Sequence, residues 1–211
     1  MEKQEIRTFG RRHGKKLSGR KTWLMENILP QIAPNETETN EILEIGFGAG
    51  EHVRELATAN PDKIIIGAEP FVNGVAALLS AICDDKNVLK SEYKNIRIHP
   101  DDVRQILNNH TYKFAQIWVL HPDPWPKARH EKRRLLNQEF LTLLSQNLAR
   151  DGKIIIGTDH WGYYDWILDQ VKSTPLVADT TESSVIQTRY QQKNMAHTDS
   201  PKYIILTTKN N

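Results

Sequence analysis

The sequence predicts an α/β fold, a doubly wound sheet of parallel strands that finishes with an antiparallel C-terminal strand. Two observations carry this expectation. From residue 41 onward, short apolar runs alternate with segments long enough for helices, in βαβα order. Within that alternation, Ile64-Ile65-Ile66 and Ile154-Ile155-Ile156 are apolar at every position, as strands covered on both faces are. Right-handed crossovers between such strands place helices on both sides of an open sheet. A chain of 211 residues that is 38% hydrophobic and 26% charged has enough apolar residues for one sizeable core, which excludes a fibrous or disordered chain.

The elements follow in order. Residues 1–22 carry Lys3, Arg7, Arg11, Arg12, Lys15, Lys16, Arg20 and Lys21 against only Glu2 and Glu5, and are expected to form a mobile basic arm ahead of a single domain over 23–211. Residues 21–32 read as an amphipathic helix with Trp23, Met25, Ile28 and Leu29 as its apolar face, ending near Pro30 and Pro34. Strands are expected at 41–45, 63–68, 95–99, 115–120 and 153–157, with helices at 51–58, 72–83, 102–109 and 137–149 between or after them. A further helix over 161–171 precedes a strand candidate near 184–188 and a last strand at 203–208, so the sheet can close on an antiparallel pair.

The longest nearly apolar stretch, 75–83, falls far short of the roughly 20 residues of a spanning helix, so no membrane segment is expected. No signal-peptide pattern opens the chain, and the single Cys83 cannot form an internal disulfide; a cytoplasmic protein is expected, monomer or homodimer. Net charge is only +2, yet thirteen of the 28 basic residues fall in two short segments, the arm and residues 126–134. Such density suits phosphates held by counterion release, although a solvated surface is the common alternative.

Glu44-Ile45-Gly46-Phe47-Gly48-Ala49-Gly50 lies where the first strand turns into the first helix. Glycines there permit a tight turn and close approach of backbone to a ligand, with plain packing as the alternative. A dinucleotide pyrophosphate would prefer the spacing G-x-G-x-x-G and an anion-friendly helix start, whereas the spacing here is G-x-G-x-G and Glu44 and Glu51 make an anion a poor guest. Glu44 instead suits a cationic ligand. Glu69 ends the second strand about 20 residues beyond the loop, where doubly wound folds place an acid on ribose hydroxyls. Asp102 follows the third strand, with Asp101 beside it, and Asp123 follows the fourth. Carboxylates at consecutive strand tips suit S-adenosylmethionine, which carries a ribose, an adenine amine, an ammonium and a sulfonium. A helix N-cap is the alternative for Asp102. The eight histidines show no paired ligand spacing and no thiolate site is possible, so no metal is expected.

The most specific segment is His121-Pro122-Asp123-Pro124-Trp125-Pro126, followed by Lys127, Arg129, His130, Lys132, Arg133 and Arg134. Three prolines in five residues restrict the backbone on both sides of Asp123. Here the sequence resembles the bacterial single-subunit tRNA (guanine-N7-)-methyltransferases. The resemblance runs over about 5–208 and includes Glu-Ile-Gly-x-Gly at the first strand, Gly-x-Glu at Glu69 and the pair Thr158-Asp159. It implies a Rossmann-like S-adenosylmethionine-dependent methyltransferase sheet and a donor site formed by Glu44, Gly46, Gly48, Glu69, Asp102 and Asp123. It also implies catalysis by Asp123, substrate contacts from Lys127 and Asp159, and RNA contacts from Arg129, His130, Lys132, Arg133 and Arg134. The family's Thr-x-Phe/Tyr-Glu motif, which lines the guanine site, corresponds to Thr188-Arg189-Tyr190-Gln191, with Gln191 in place of glutamate. The implied reaction is transfer of a methyl group to N7 of a guanosine in the tRNA variable loop, with tRNA as partner. Two rival readings stand beside it: a nicotinamide oxidoreductase, disfavoured by the glycine spacing, and a non-catalytic or weakly active RNA-binding protein of the same fold.

Overall fold

The structure, a computed structural model, describes residues 9–35, 41–109, 113–180 and 202–209. The chain divides into two compact units, Met1–Tyr112 and Lys113–Asn211.

In the first unit, helix α1 (Gly19–Asn27) is capped by Ser18, whose hydroxyl accepts the Lys21 N–H. The helix expected to reach residue 32 stops sooner, because Pro30 has no N–H to continue the ladder, and Leu29–Ile32 form a tighter 3-10 turn instead. Then come β1 (Glu41–Ile45), α2 (Glu51–Ala59), β2 (Ile64–Ala68), α3 (Val72–Ile82), β3 (Ile96–His99) and α4 (Arg104–Asn109). β2 lies between β1 and β3, parallel to both, with Leu43 opposite Ile66 and Gly67 opposite Ile98. All of β1 is buried, as are Ile65 and Ile66 of β2 and Val75, Leu78 and Leu79 of α3. Each such side chain contributes roughly 1.5–3 kcal/mol when removed from water.

The second unit contains β4 (Phe114–Leu120), α5 (Gln138–Gln146), β5 (Leu148–Thr158), α6 (Trp161–Val171), β6 (Leu176–Asp179) and β7 (Lys202–Thr208). β4 and β5 are parallel, β7 runs antiparallel to β5, and β6 pairs antiparallel with the outer side of β7. The expected antiparallel finish is therefore present, with β6 as its outer strand; the candidate near 184–188 lies outside the described residues. β5 begins earlier than the apolar run suggests. The ladder with β4 shifts register between Phe114 and Gln116, and Asp151 turns through a left-handed φ of 62°, so the strand resumes after an irregularity. Among the described residues, no helix is long and apolar enough to cross a membrane.

Candidate active site

In the first unit, the chain leaves β1 through a loop in which Gly46, Gly48 and Gly50 have φ of 73°, 58° and 79°, the left-handed region that costs other residues most. The Gly46 N–H donates to Ala68 O at 2.8 Å, fastening the loop to the tip of β2. A Cβ built on Gly46 or Gly48 would meet nothing within 4 Å, whereas one on Gly50 would lie 2.6 Å from Leu78. Gly50 is thus glycine for packing as well as for φ. Gly46 and Gly48 leave open space where a ligand can approach the backbone.

Glu69 staples this loop to the next helix. Its Oε2 accepts the Gly48 N–H and its Oε1 the Phe71 N–H, both at 2.8 Å. Burial and the neighbouring Glu44 charge raise the Glu69 pKa, against the two amides, which lower it; burial is the larger effect. Glu44 is itself buried, and its Oε2 lies 3.0 Å from His52 Nδ1 on α2. Two buried carboxylates in mutual electrostatic reach create a strong preference for a cation. Asp102, also buried, accepts the Arg104 N–H on Oδ1 at 2.9 Å and binds the Arg104 guanidinium through both oxygens. Its side chain starts α4, which is why that helix begins at 104 rather than 102. Asp101 meets the Arg12 guanidinium and Gln105 Nε2. Burial pushes its pKa up, but the Asp102 amide, Gln105 and Arg12 outweigh it and hold the carboxyl below the usual range.

In the second unit the Pro-Asp-Pro-Trp turn is flanked by two left-handed residues, His121 at φ 50° and Trp125 at φ 43°. Left-handed, non-glycine backbone persists only where surroundings impose it. The His121 N–H donates to Gly157 O at 2.8 Å, extending the β4–β5 ladder into the turn. From the far side, Arg134 Nε donates to Pro124 O at 2.9 Å and its Nη2 to Trp125 O at 3.4 Å. Asp123 at the apex is exposed. Burial lowers the His121 pKa and the nearby Asp159 charge opposes it.

Beyond the turn, Ala128–Arg133 form a 3-10 turn that exposes Arg129 and Lys132, as does Lys127 before it. His130 meets the Trp125 ring edge-on at 5.7 Å and Arg133 stacks over it at 5.0 Å. Arg134 differs from the rest of the basic run. It is buried, with its guanidinium 4.9 Å from the Trp166 ring and 5.5 Å from the Tyr163 ring, and its hydrogen bonds hold the turn. Asp159, beyond the end of β5, is exposed. Thr188, Tyr190 and Gln191 lie outside the described residues.

The profile of a family described as "Putative methyltransferase" matches residues 38–204. Over 194 residues the chain is 36% identical to the tRNA (guanine-N(7)-)-methyltransferase of Neorickettsia sennetsu, covering 91% of this chain and 87% of that protein. The chain belongs to the S-adenosylmethionine-dependent tRNA (guanine-N7-)-methyltransferase family. A second member, from Caulobacter sp. strain K31, is 34% identical over 209 residues, 90% of each chain. An rRNA methylase from Streptococcus thermophilus shares the fold at 12% identity, with a TM-score of 0.54 over 92% of this chain and all of that one.

Two residues beside the family's glycine loop escape a reading of the sequence. His52 orients Glu44 from across the loop; its signal was a histidine in the first turn of the helix that the loop opens. Gly74 lies where α3 crosses the loop, so that a Cβ would stand 2.3 Å from Gly48 O. A glycine early in an otherwise apolar helix was the visible sign of that close approach.

Proposed function

We propose that this chain transfers the methyl group of S-adenosylmethionine to N7 of a guanosine in the variable loop of tRNA, in the cytoplasm. The observation that carries the reading is the open glycine cradle with buried Glu44 and Glu69 at its rim. The residues present fit the donor. Glu44 Oε1 has no hydrogen-bond partner among the described residues and is suited to an ammonium. Each Glu69 oxygen spends one lone pair on an amide and keeps another for a ribose hydroxyl. Asp102 is the assigned acceptor for the adenine side, with Arg104 fixing its orientation. Bound there, the donor supplies a methyl group on a cationic sulfur.

Guanine N7 has an in-plane lone pair and no proton, so attack needs neither a strong base nor a metal. The protein's task is alignment and the stabilisation of positive charge developing on the purine. Asp123, fixed between two prolines, is the catalytic carboxylate of the proposal and also a donor contact. Lys127, Asp159, Thr188, Tyr190 and Gln191 are assigned to the target nucleotide, and Arg129, His130, Lys132 and Arg133 to tRNA phosphates. Arg134 serves the same face by holding the turn. Asp123→Ala is expected to lower turnover at least 100-fold in a radiolabelled methyl-transfer assay on unmodified tRNA, about 2.7 kcal/mol of transition-state stabilisation. Thermal unfolding should scarcely change, because the side chain is exposed. Unchanged turnover would remove Asp123 from the chemistry, and wild-type product lacking 7-methylguanosine would remove the reaction.

A further inference from the structure

Trp161 opens α6 two residues after Asp159, with half of its surface, 51%, exposed. An indole in that position forgoes the burial that aromatic side chains ordinarily gain. Its neighbour is a cation: Lys202 at the start of β7 places Nζ 3.1 Å from the Trp161 ring centroid and 4.7 Å from that of Tyr164. Among the described residues no carboxylate pairs with Lys202. The indole and the ammonium that lies against it together match the two halves of a nucleotide, a flat base and a phosphate.

The same helix anchors the basic segment. Trp166 Nε1 donates to Glu131 of the 3-10 turn, and Arg134 stacks on Trp166 and Tyr163. Trp166 lies five positions beyond Trp161, about 7.5 Å along a helix axis. One rigid element therefore carries both the exposed indole and the support of the face assigned to RNA.

We propose that Trp161 and Lys202 form a nucleotide subsite for the RNA substrate, in which a base flanking the target guanosine stacks on the indole face that Lys202 leaves uncovered and its phosphate meets Lys202. The inference rests on the proposed tRNA reaction. It assigns these two residues to affinity for RNA, outside the donor site and the chemical step.

Trp161→Ala is expected to weaken tRNA binding and raise KM for tRNA about tenfold, the usual loss for one stacked base. The kcat at saturating tRNA and the affinity for S-adenosylmethionine should stay within twofold, and Trp161→Phe should recover most of the loss. Lys202→Gln, which keeps the indole, should make the salt dependence of binding shallower by roughly one unit of slope. Filter binding of tRNA decides the subsite even if wild-type protein methylates nothing, so failure of the reaction and failure of the subsite are separable. Wild-type tRNA affinity in Trp161→Ala, or an unaltered slope in Lys202→Gln, overturns the proposal. If Trp161→Ala lowers kcat with KM unchanged, the indole acts on the chemical step and the proposal fails.

Discussion

The acids of the first unit and the acid of the second are held in place by opposite means. Glu44 and Glu69 are buried, and neighbouring side chains and amides fix their oxygens, so the groups themselves are preorganised. Asp123 is exposed, and what is fixed is its backbone, between two prolines and two left-handed residues braced by Gly157 and Arg134. The contrast suits the two proposed ligands. A small cationic donor can be surrounded, and buried carboxylates gain most from it at low local dielectric. A folded RNA must arrive and leave over an open surface, so precision there has to come from the backbone behind the side chain.

The most severe test of this contrast adds one methyl group to a helix of each unit. Gly74→Ala places a Cβ 2.3 Å from Gly48 O, a backbone atom that cannot move without disturbing the glycine loop. Overpacking of this kind costs roughly 1–3 kcal/mol, more than the gain of up to about 1 kcal/mol from replacing glycine in a helix. The variant should therefore be roughly 1 kcal/mol less stable in urea, the difference of the two effects, and bind S-adenosylmethionine more weakly. Gly162→Ala in α6 meets only the His160 ring at 3.4 Å, an ordinary contact, so the propensity gain should survive as a small increase in stability. Equal stability of the two variants would show that α3 does not press on the loop.

Next in size is a separation within the basic run. Arg134→Ala leaves the Pro124 and Trp125 carbonyls without their guanidinium and removes the cation that packs over the Tyr163 and Trp166 rings. Removing hydrogen bonds and packing of this sort costs about 1–2 kcal/mol. The triple variant Arg129→Ala, Lys132→Ala, Arg133→Ala should change stability less, because Arg129 and Lys132 are exposed. It should make the salt dependence of tRNA binding shallower by roughly one unit for each phosphate no longer neutralised. A wild-type salt slope in the triple variant would place the cluster off the RNA face.

Much of this was legible in the sequence where local chemistry decides the outcome. Apolar runs, broken in β1 by Glu41 and Glu44 and unbroken in β2, mark these strands to within a residue, α6 spans 161–171 as expected, and the glycine loop and strand-tip acids lie where their spacing put them. Boundaries moved where a side chain chose a backbone partner: Asp102 accepts the Arg104 amide and delays α4, and Pro30 breaks the first helix. The outer strand β6 went unread because its four residues alternate weakly and gain order from pairing with β7. Charge counting could not distinguish Arg134 from its neighbours, since inward orientation depends on Tyr163 and Trp166, about 30 residues on. Gly74 and His52 likewise owe their importance to partners across the fold.

The mildest of these effects lies in acid. His99 in the first unit and His121 in the second are held below their ordinary pKa of 6.5, chiefly by burial. The Asp102 carbonyl, 3.1 Å from His99 Nε2, and the Asp101 and Asp102 charges oppose the shift at His99; Asp159 opposes it at His121. A histidine that binds its proton less readily when folded charges first in the unfolded chain. Its contribution is therefore complete above pH 6.5 and is lost as the pH falls through that value toward the lower folded pKa. His130 is lowered too, by loss of hydration and then by Arg133, Arg129 and Lys127. Salt screens repulsion between surface charges far more than it alters burial. Tm should accordingly decline below pH 6.5, added salt should remove only part of the decline, and His99→Asn with His121→Asn should flatten most of the remainder. An unchanged pH profile in the double variant would mean that these two half-buried rings do not govern it.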